Sequence, residues 1–330
     1  MIETFVRDEF RHAVEAATGG KNTVIYDNAG NGSIMVCVPK FNLEDVGSDL
    51  GTGVHPAFLY HGRELPEIYI SKYQNVVTNG RAYSLPHKDP AVWINFDGAR
   101  NACTAKGKGW HIMTRVEWAA IAMWCLKNGT VPRGNTATGK AYDATYEHGT
   151  MGGDGRTLTG SGPNSWNHNG EQDGIADLCG NAWEWNDGAK IIDGHIYVHG
   201  QDGTAMNNFD TANKENDATG WVDTKSFFTG NGIQIGSARA KEVGTEGAFS
   251  GVAAASGFTI PDILRQTLIA PPTGITADDH FWLNTAGERI PLAGGTWYSG
   301  AYAGLFALSL LSVRSVVDYN LGFRAAYAAV

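Results

Sequence analysis

The chain has no run of 18 apolar residues, so no helical membrane span is expected. No secretory signal peptide is expected, because Met1 to Glu9 is charged and holds no apolar stretch. Charge is sparse and its balance acidic: 25 Lys and Arg against 34 Asp and Glu, a formal −9. A nucleic-acid binder would need a basic stripe, so that class is set aside. Cysteine is scarce. Cys37, Cys103, Cys125 and Cys179 form no C-x-x-C pair and stand in apolar or framework surroundings. They read as reduced, buried thiols of a protein made in the cytoplasm, not as a disulfide, metal or redox set. Low-complexity tracts and internal repeats are missing too. With 42% hydrophobic residues over 330 positions, a real core is expected, in one large domain or two modest ones.

Glycine and tryptophan are plentiful, 43 and 10 residues. Together they imply a loop-rich fold with turns built on glycine and a core anchored by aromatic rings. Apolar spacing predicts a helix over residues 2–18, stopped by Gly19-Gly20. Strands are expected at 33–38 and 67–71, with a linker or long loop at 47–56 between them. A helix is expected near 97–106. Another should open on the capping box Thr114-x-x-Glu117, bury a face of Trp118, Ile121, Ala122 and Cys125, and end at Asn128-Gly129. Residues 132–172 read as irregular. Ala182 to Trp185 reads as a strand, and 190–198 as a hairpin turning on Asp193-Gly194.

Three constellations carry little chemistry. Gly134 to Ala141 nearly matches a phosphate-binding loop, but lacks the Ser or Thr that would hold magnesium and follows no apolar strand. His195 and His199, on a strand, would stand roughly 13 Å apart, too far for one ion. Asn169, Asp173, Asp177 and Asn181 crowd one loop; such loops hold calcium or are held by their own side-chain hydrogen bonds, and both readings stay open.

The last three dozen residues differ in kind. Framework segments (Gly294-Gly295-Thr296-Trp297, Gly304 to Leu308, Arg314, Leu321 to Arg324) alternate with a scatter of Tyr, Ser, Leu, Val and Asp that shares no chemistry. Catalytic machinery would hold particular acids, bases or thiols in place. A rigid frame carrying arbitrary residues suits a recognition surface.

Ordered landmarks run through the chain. They are Ile70 to Tyr73, Asp97 to Cys103, Gly109 to Trp118, Gly174 to Trp185, Gly294 to Trp297 and Leu321 to Arg324. Over roughly 65–327 they resemble the formylglycine-generating-enzyme, or sulfatase-modifying-factor, type of C-type lectin fold. The resemblance implies an α+β, loop-rich domain over 61–330 with short antiparallel strands and two helices, preceded by a packing or assembly segment over 1–60. Oxidase members of that family use paired cysteines late in the chain. Here the last cysteine is Cys179, so no enzyme is expected. The C-terminal segment, about 294–324, resembles instead the variable region of diversity-generating-retroelement target proteins. There, adenines are randomised, and AAC codons become Tyr, Ser, Leu, Val, Asp or Ala. By that analogy the varied, ligand-binding positions are Tyr298, Ser299, Tyr302, Ser309, Leu311, Ser312, Val316, Asp318 and Tyr319, with Asn320 an unchanged template residue. Trp297, Phe306, Leu308, Leu310 and Phe323 would be scaffold beneath them, and Arg314 and Arg324 structural donors. The resemblance implies no cofactor, with structural calcium as the alternative. It implies a cell-surface protein or glycan as partner, and a place in a phage tail or on a bacterial surface, as a homo-oligomer or virion component. The rival readings are an active oxidase and a structural virion protein with no ligand.

Overall fold

The computed structural model describes residues 8–230, 232–239, 244–275 and 278–330. Ile34, Met35, Val36 and Val38 make a strand that is apolar on both faces, and this fixes Gly32–Pro39 inside a sheet. Its neighbours are Asn22–Tyr26 on one side and Glu67–Ser71 on the other. Beyond Glu67–Ser71 come Ala325–Tyr327 and then Trp110–Ile112, all antiparallel. The start and the end of the chain therefore share one sheet. The first sixty residues, expected to pack on the domain or to serve assembly, pack closely where they are described: residues 35–39 pair directly with 67–71, and Leu50, Ala57 and Phe58 are in the main core. For the same reason 47–56 is no linker. It packs against the domain.

The second sheet carries the C-terminal segment. Its order is Gly244–Ala248, His280–Asn284, Gly304–Leu310, Leu292–Gly294, Trp183–Trp185 and Leu321–Phe323. It is mixed, because Gly304–Leu310 runs parallel to His280–Asn284 but antiparallel to Leu292–Gly294. A third sheet includes the expected hairpin, with Ala189–Ile192 paired to His195–Val198. Asp193 and Gly194 both take positive φ, 50° and 79°, as a tight two-residue turn needs.

Five helices occur among the described residues, and three of them lie within 61–330, where two were expected. Glu9–Thr18 keeps the C-terminal part of the first expected helix; positions 2–7 lie outside the described residues. Phe96–Thr104 and Arg115–Asn128 match their expected places. The capping box of Arg115–Asn128 is formed, and Gly129 closes the helix at φ 67°. One expectation fails in kind. Val116, Ala119, Ala120 and Met123 are buried as fully as the expected face of Trp118, Ile121, Ala122 and Cys125. Small and apolar residues on all sides make this a central helix, not an amphipathic one. Leu43–Val46 and Asp262–Gln266 were not expected; each is about one turn, too short for a periodic signal. The fold is thus mixed, mostly sheet, with few helices and long loops. No helix among the described residues is long and apolar enough to cross a membrane.

Candidate binding face

Strand register decides which of the nine expected positions share a surface. Gly304–Leu310 spans six residue steps, roughly 20 Å. Tyr298, Ser299 and Tyr302 lie before its first residue; Leu311 and Ser312 lie after its last. Gly294 pairs with Gly304, Ala293 with Glu184, and Gly322 with Glu184. Residues 318–320, which enter Leu321–Phe323, therefore return to the first end. The structure brings Tyr298, Ser299, Tyr302, Asp318 and Tyr319 to one end of the sheet and leaves Leu311 and Ser312 at the other. Val316 lies along the return loop, half-buried against the core.

Ser309 belongs to neither group and corrects the expected set. It is only 5% exposed, inside the strand between Trp282 and Leu292. A side chain there faces protein, not ligand. The strand alternation that would have shown this was masked by the apolar run Leu305 to Leu310, buried on both faces.

Aromatic rings hold the shared end. Tyr298 and Tyr302 are 52% and 53% exposed, and Tyr319 is 37% exposed. Tyr319 lies 5.5 Å from Trp297 and 6.5 Å from Tyr298, centroid to centroid. Tyr302 lies 4.4 Å from His280 and 6.3 Å from Trp282. Such ring pairs add to area burial alone. Trp297 is buried, with the Arg156 guanidinium 5.6 Å above it. Sequence reasoning missed Trp93, which is 61% exposed and 6.1 Å from Tyr319. Its φ of 59° costs a bulky residue on the order of 1–2 kcal/mol, strain the surrounding loops must hold. Nothing in its local sequence gave a period or a motif.

The turn before Tyr298 explains Gly294-Gly295. Both take positive φ, 93° and 89°, and a Cβ would meet Leu178 O at 2.8 Å and Ala303 Cβ at 2.5 Å. The framework grips these loops by their main chain. Asp318 O accepts from Trp93 N, Asn320 O from Trp183 N, and Ser312 O from Ile290 N. Tyr319 O accepts from Arg156 Nη1 at 3.0 Å.

Below this surface the two expected arginines are paired and buried. Arg314 forms a two-pronged contact with Glu288, at 2.7 and 3.0 Å, and reaches Asp97 at 2.9 Å. Arg324 does the same with Glu184, at 2.9 and 2.7 Å, and also donates to Ser71 O, Lys72 O and Ala176 O. Phe306 and Phe323 are buried as well.

All four thiols are free, and Cys179 is the one that lines a cleft with Ala303 and Gly304 at this end of the sheet. Burial pushes the Cys37 and Cys125 thiols up to about 12, and those of Cys103 and Cys179 higher still. None is poised as a thiolate. The crowded oxygen-rich loop disperses its groups onto protein donors. Asp173 pairs with Lys21 and accepts from Asn169, Asp177 accepts from Gly160 N, and Asn181 bonds Asn135, Thr157 and Gln74. His199 is buried near Asp187, whereas His195 pairs with Asp223 across the third sheet. Three of the clefts among the described residues hold about 410–490 Å³, and these three are not lined by any of the nine positions. The one nearest the C-terminal segment is lined by Cys179, Asp279, Ala303 and Gly304. Asp279 accepts from Phe306 N, and burial raises its carboxyl to about 7.

No protein-family model and no curated protein matches the chain. Among solved structures it is similar to the Major Tropism Determinant P3c variant, at 12% identity and a TM-score of 0.35, over 89% of this chain and 63% of that one. It is also similar to the M1 variant, at 12% identity and a TM-score of 0.36, over 93% and 71%. A third is PvdO from Pseudomonas aeruginosa, at 13% identity and a TM-score of 0.38, over 93% and 98%. The chain spans a little over three fifths of the length of the first of these.

Proposed function

We propose that this protein recognises a ligand through the aromatic end of its second sheet and performs no chemistry there. The observation that carries the reading is the grouping of Tyr298, Tyr302 and Tyr319. They come from separate turns, are exposed, and ride on loops held by main-chain hydrogen bonds and buried ion pairs. Tyr offers wide, stiff contact area at low rotamer cost. In this reading the fold is the formylglycine-generating type of C-type lectin, supported by the order of the sequence landmarks. The five clustered positions are the working part of a diversified segment. The ligand is a cell-surface protein or glycan, and the setting is a phage tail or a bacterial surface. Several copies would raise weak single-site binding through avidity.

The test is the DNA beside the gene. A near-copy of the codons for 294–324 that differs only at adenines, with a reverse-transcriptase gene nearby, is the expected result. A repeat that differs elsewhere, or none at all, removes the diversified reading. The proposal also expects no copper-dependent oxidation of a cysteine peptide; turnover there would restore the oxidase.

A further inference from the structure

We propose that a separate binding site lies against the first sheet, and that it takes a neutral aromatic or alicyclic small molecule whose single hydrogen-bond acceptor is held by the Nε2–H of His168. This goes beyond the recognition reading and does not rest on it, because none of the nine positions lines this cleft. The cleft holds about 490 Å³, within the range of small-molecule sites. Val36 and Val38 of Gly32–Pro39, Phe41 just after it, and Ile121 and Trp124 of Arg115–Asn128 make its walls apolar. His168 enters from the loop that also carries Asn169 and Asp173. It is the polar group set into that apolar wall.

The protonation of that ring is fixed by its neighbours. His168 is 8% exposed, its backbone N–H donates to Ile175 O at 2.9 Å, and its Nδ1 accepts from Ile175 N–H at 2.7 Å. A nitrogen that accepts carries no proton, so in the neutral ring the proton is on Nε2. Burial lowers the ring's pKa to about 4, so it is neutral near pH 7. Among the described residues no group accepts the Nε2–H. A nearly buried donor without an acceptor is costly, and one fixed donor in an apolar wall is what orients a small ligand. Trp124 stands 5.4 Å from the His168 ring and offers an aromatic surface to the same space. The charges at the rim are spent on each other. Lys21 pairs with Asp173 at 2.8 Å, and Asn169 donates to the same carboxylate. Lys21 is thus engaged against an incoming anion and Asp173 against an incoming cation. The lining favours a ketone, ester or ether over an acid or an amine.

The test titrates the full chain, followed by NMR, with acetophenone, ethylbenzene, benzoate and benzylammonium, probes of similar size. His168→Asn keeps an acceptor oxygen near the place of Nδ1 and removes Nε2. Cys37→Phe fills the cleft from a half-buried position on its wall. Melting temperature is checked for both variants. Acetophenone and ethylbenzene should both saturate. His168→Asn should weaken acetophenone about fivefold and ethylbenzene by less than about twofold. Cys37→Phe should abolish both, and the two charged probes should bind about tenfold more weakly than acetophenone or not at all. In the unmutated chain both neutral probes should move the Trp124 indole signal, and acetophenone alone should move the His168 Nε2 signal strongly. Those two readings stand even where a variant fails to fold. Saturation by neither neutral probe, or binding that survives Cys37→Phe, would overturn the site. Equal losses of both probes with His168→Asn, or an unmoved Nε2 signal, would overturn the role of His168 and the ligand class with it. A charged probe that binds as tightly as acetophenone would overturn the neutral assignment. Each of these failures leaves the recognition reading at the aromatic end untouched.

Discussion

Tolerance to substitution should divide the nine expected positions sharply, and Ser309 against Tyr302 is the decisive contrast. Both were read as varied, but Tyr302 is 53% exposed and Ser309 is 5% exposed. Ser309 pairs with Trp282 and Leu292, and its face of the strand also holds Ala307, fully buried two residues away. Ser309→Tyr adds a phenol ring to that packed layer. Overpacking by a few methylenes already costs about 1–3 kcal/mol, so a whole ring should cost ~3 kcal/mol or more. Tyr302→Ser, Tyr298→Ala and Asp318→Ala remove exposed groups and should each stay within about 0.5–1 kcal/mol. Urea unfolding with a shared m value measures both. If Ser309→Tyr lies within about 1 kcal/mol of the parent, the register argument that excludes Ser309 fails. If Tyr302→Ser costs more than about 2 kcal/mol, Tyr302 is scaffold and not part of a replaceable surface.

Arg324→Met should destabilise by about 3–5 kcal/mol, because it leaves Glu184 charged and buried; adding Glu184→Gln should recover part of that in the same denaturation assay. Thr114→Ala should cost about 1–2 kcal/mol, since Thr114 caps its helix and also donates to Asn207 at 2.8 Å. Asp279 gives a pH signature. Burial raises its carboxyl to about 7 from an ordinary 3.8, so between those values the folded state binds the extra proton. Its contribution is full below about pH 4 and is lost as pH rises to about 7, with a slope of at most ~1.4 kcal/mol per unit. Asp279→Asn should lack that slope, so the difference between parent and variant should change with pH over this window; identical pH profiles would refute it. Asp177, raised to about 6 by burial, should act with the same sign over a narrower window.

Local signals carried well from sequence to structure. The capping box at Thr114, the Asp193-Gly194 turn, the strands at 33–38 and 67–71 and the buried roles of Arg314 and Arg324 all depend on nearby residues or on strong chemistry. What failed was long-range. Pairing of 35–39 with 67–71 depends on strand order, which no local period encodes. Separation of Leu311 and Ser312 from Asp318 and Tyr319 depends on register across four strands. Trp93 comes to the face from more than 200 positions upstream through one hydrogen bond and one ring contact.

How a loop can change its side chains and keep its shape follows from where its bonds are made. The contacts from the framework to Ser312, Asp318, Tyr319 and Asn320 end on carbonyl oxygens, which every residue possesses. Trp183 N, Trp93 N and Arg156 come from outside the segment, and Arg156 is itself fixed by Asp89 and stacked over Trp297. The strongest side-chain bonds, at Arg314 and Arg324, sit on framework positions and reach inward to Glu288 and Glu184. Side-chain bonds from the clustered positions are mostly local: Ser299 Oγ to Thr296, and Tyr298 to Asn320. Exchanging those residues would therefore forfeit little of what holds the loops, whereas removing Arg156 would take away the donor to Tyr319 O and the partner of Asp89 together. Arg156→Met should lower the melting temperature by several degrees while Asp318→Ala and Tyr319→Ala do not. Equal effects from Arg156→Met and the two alanine variants would show that the side chains, and not contacts to the main chain, hold the loop.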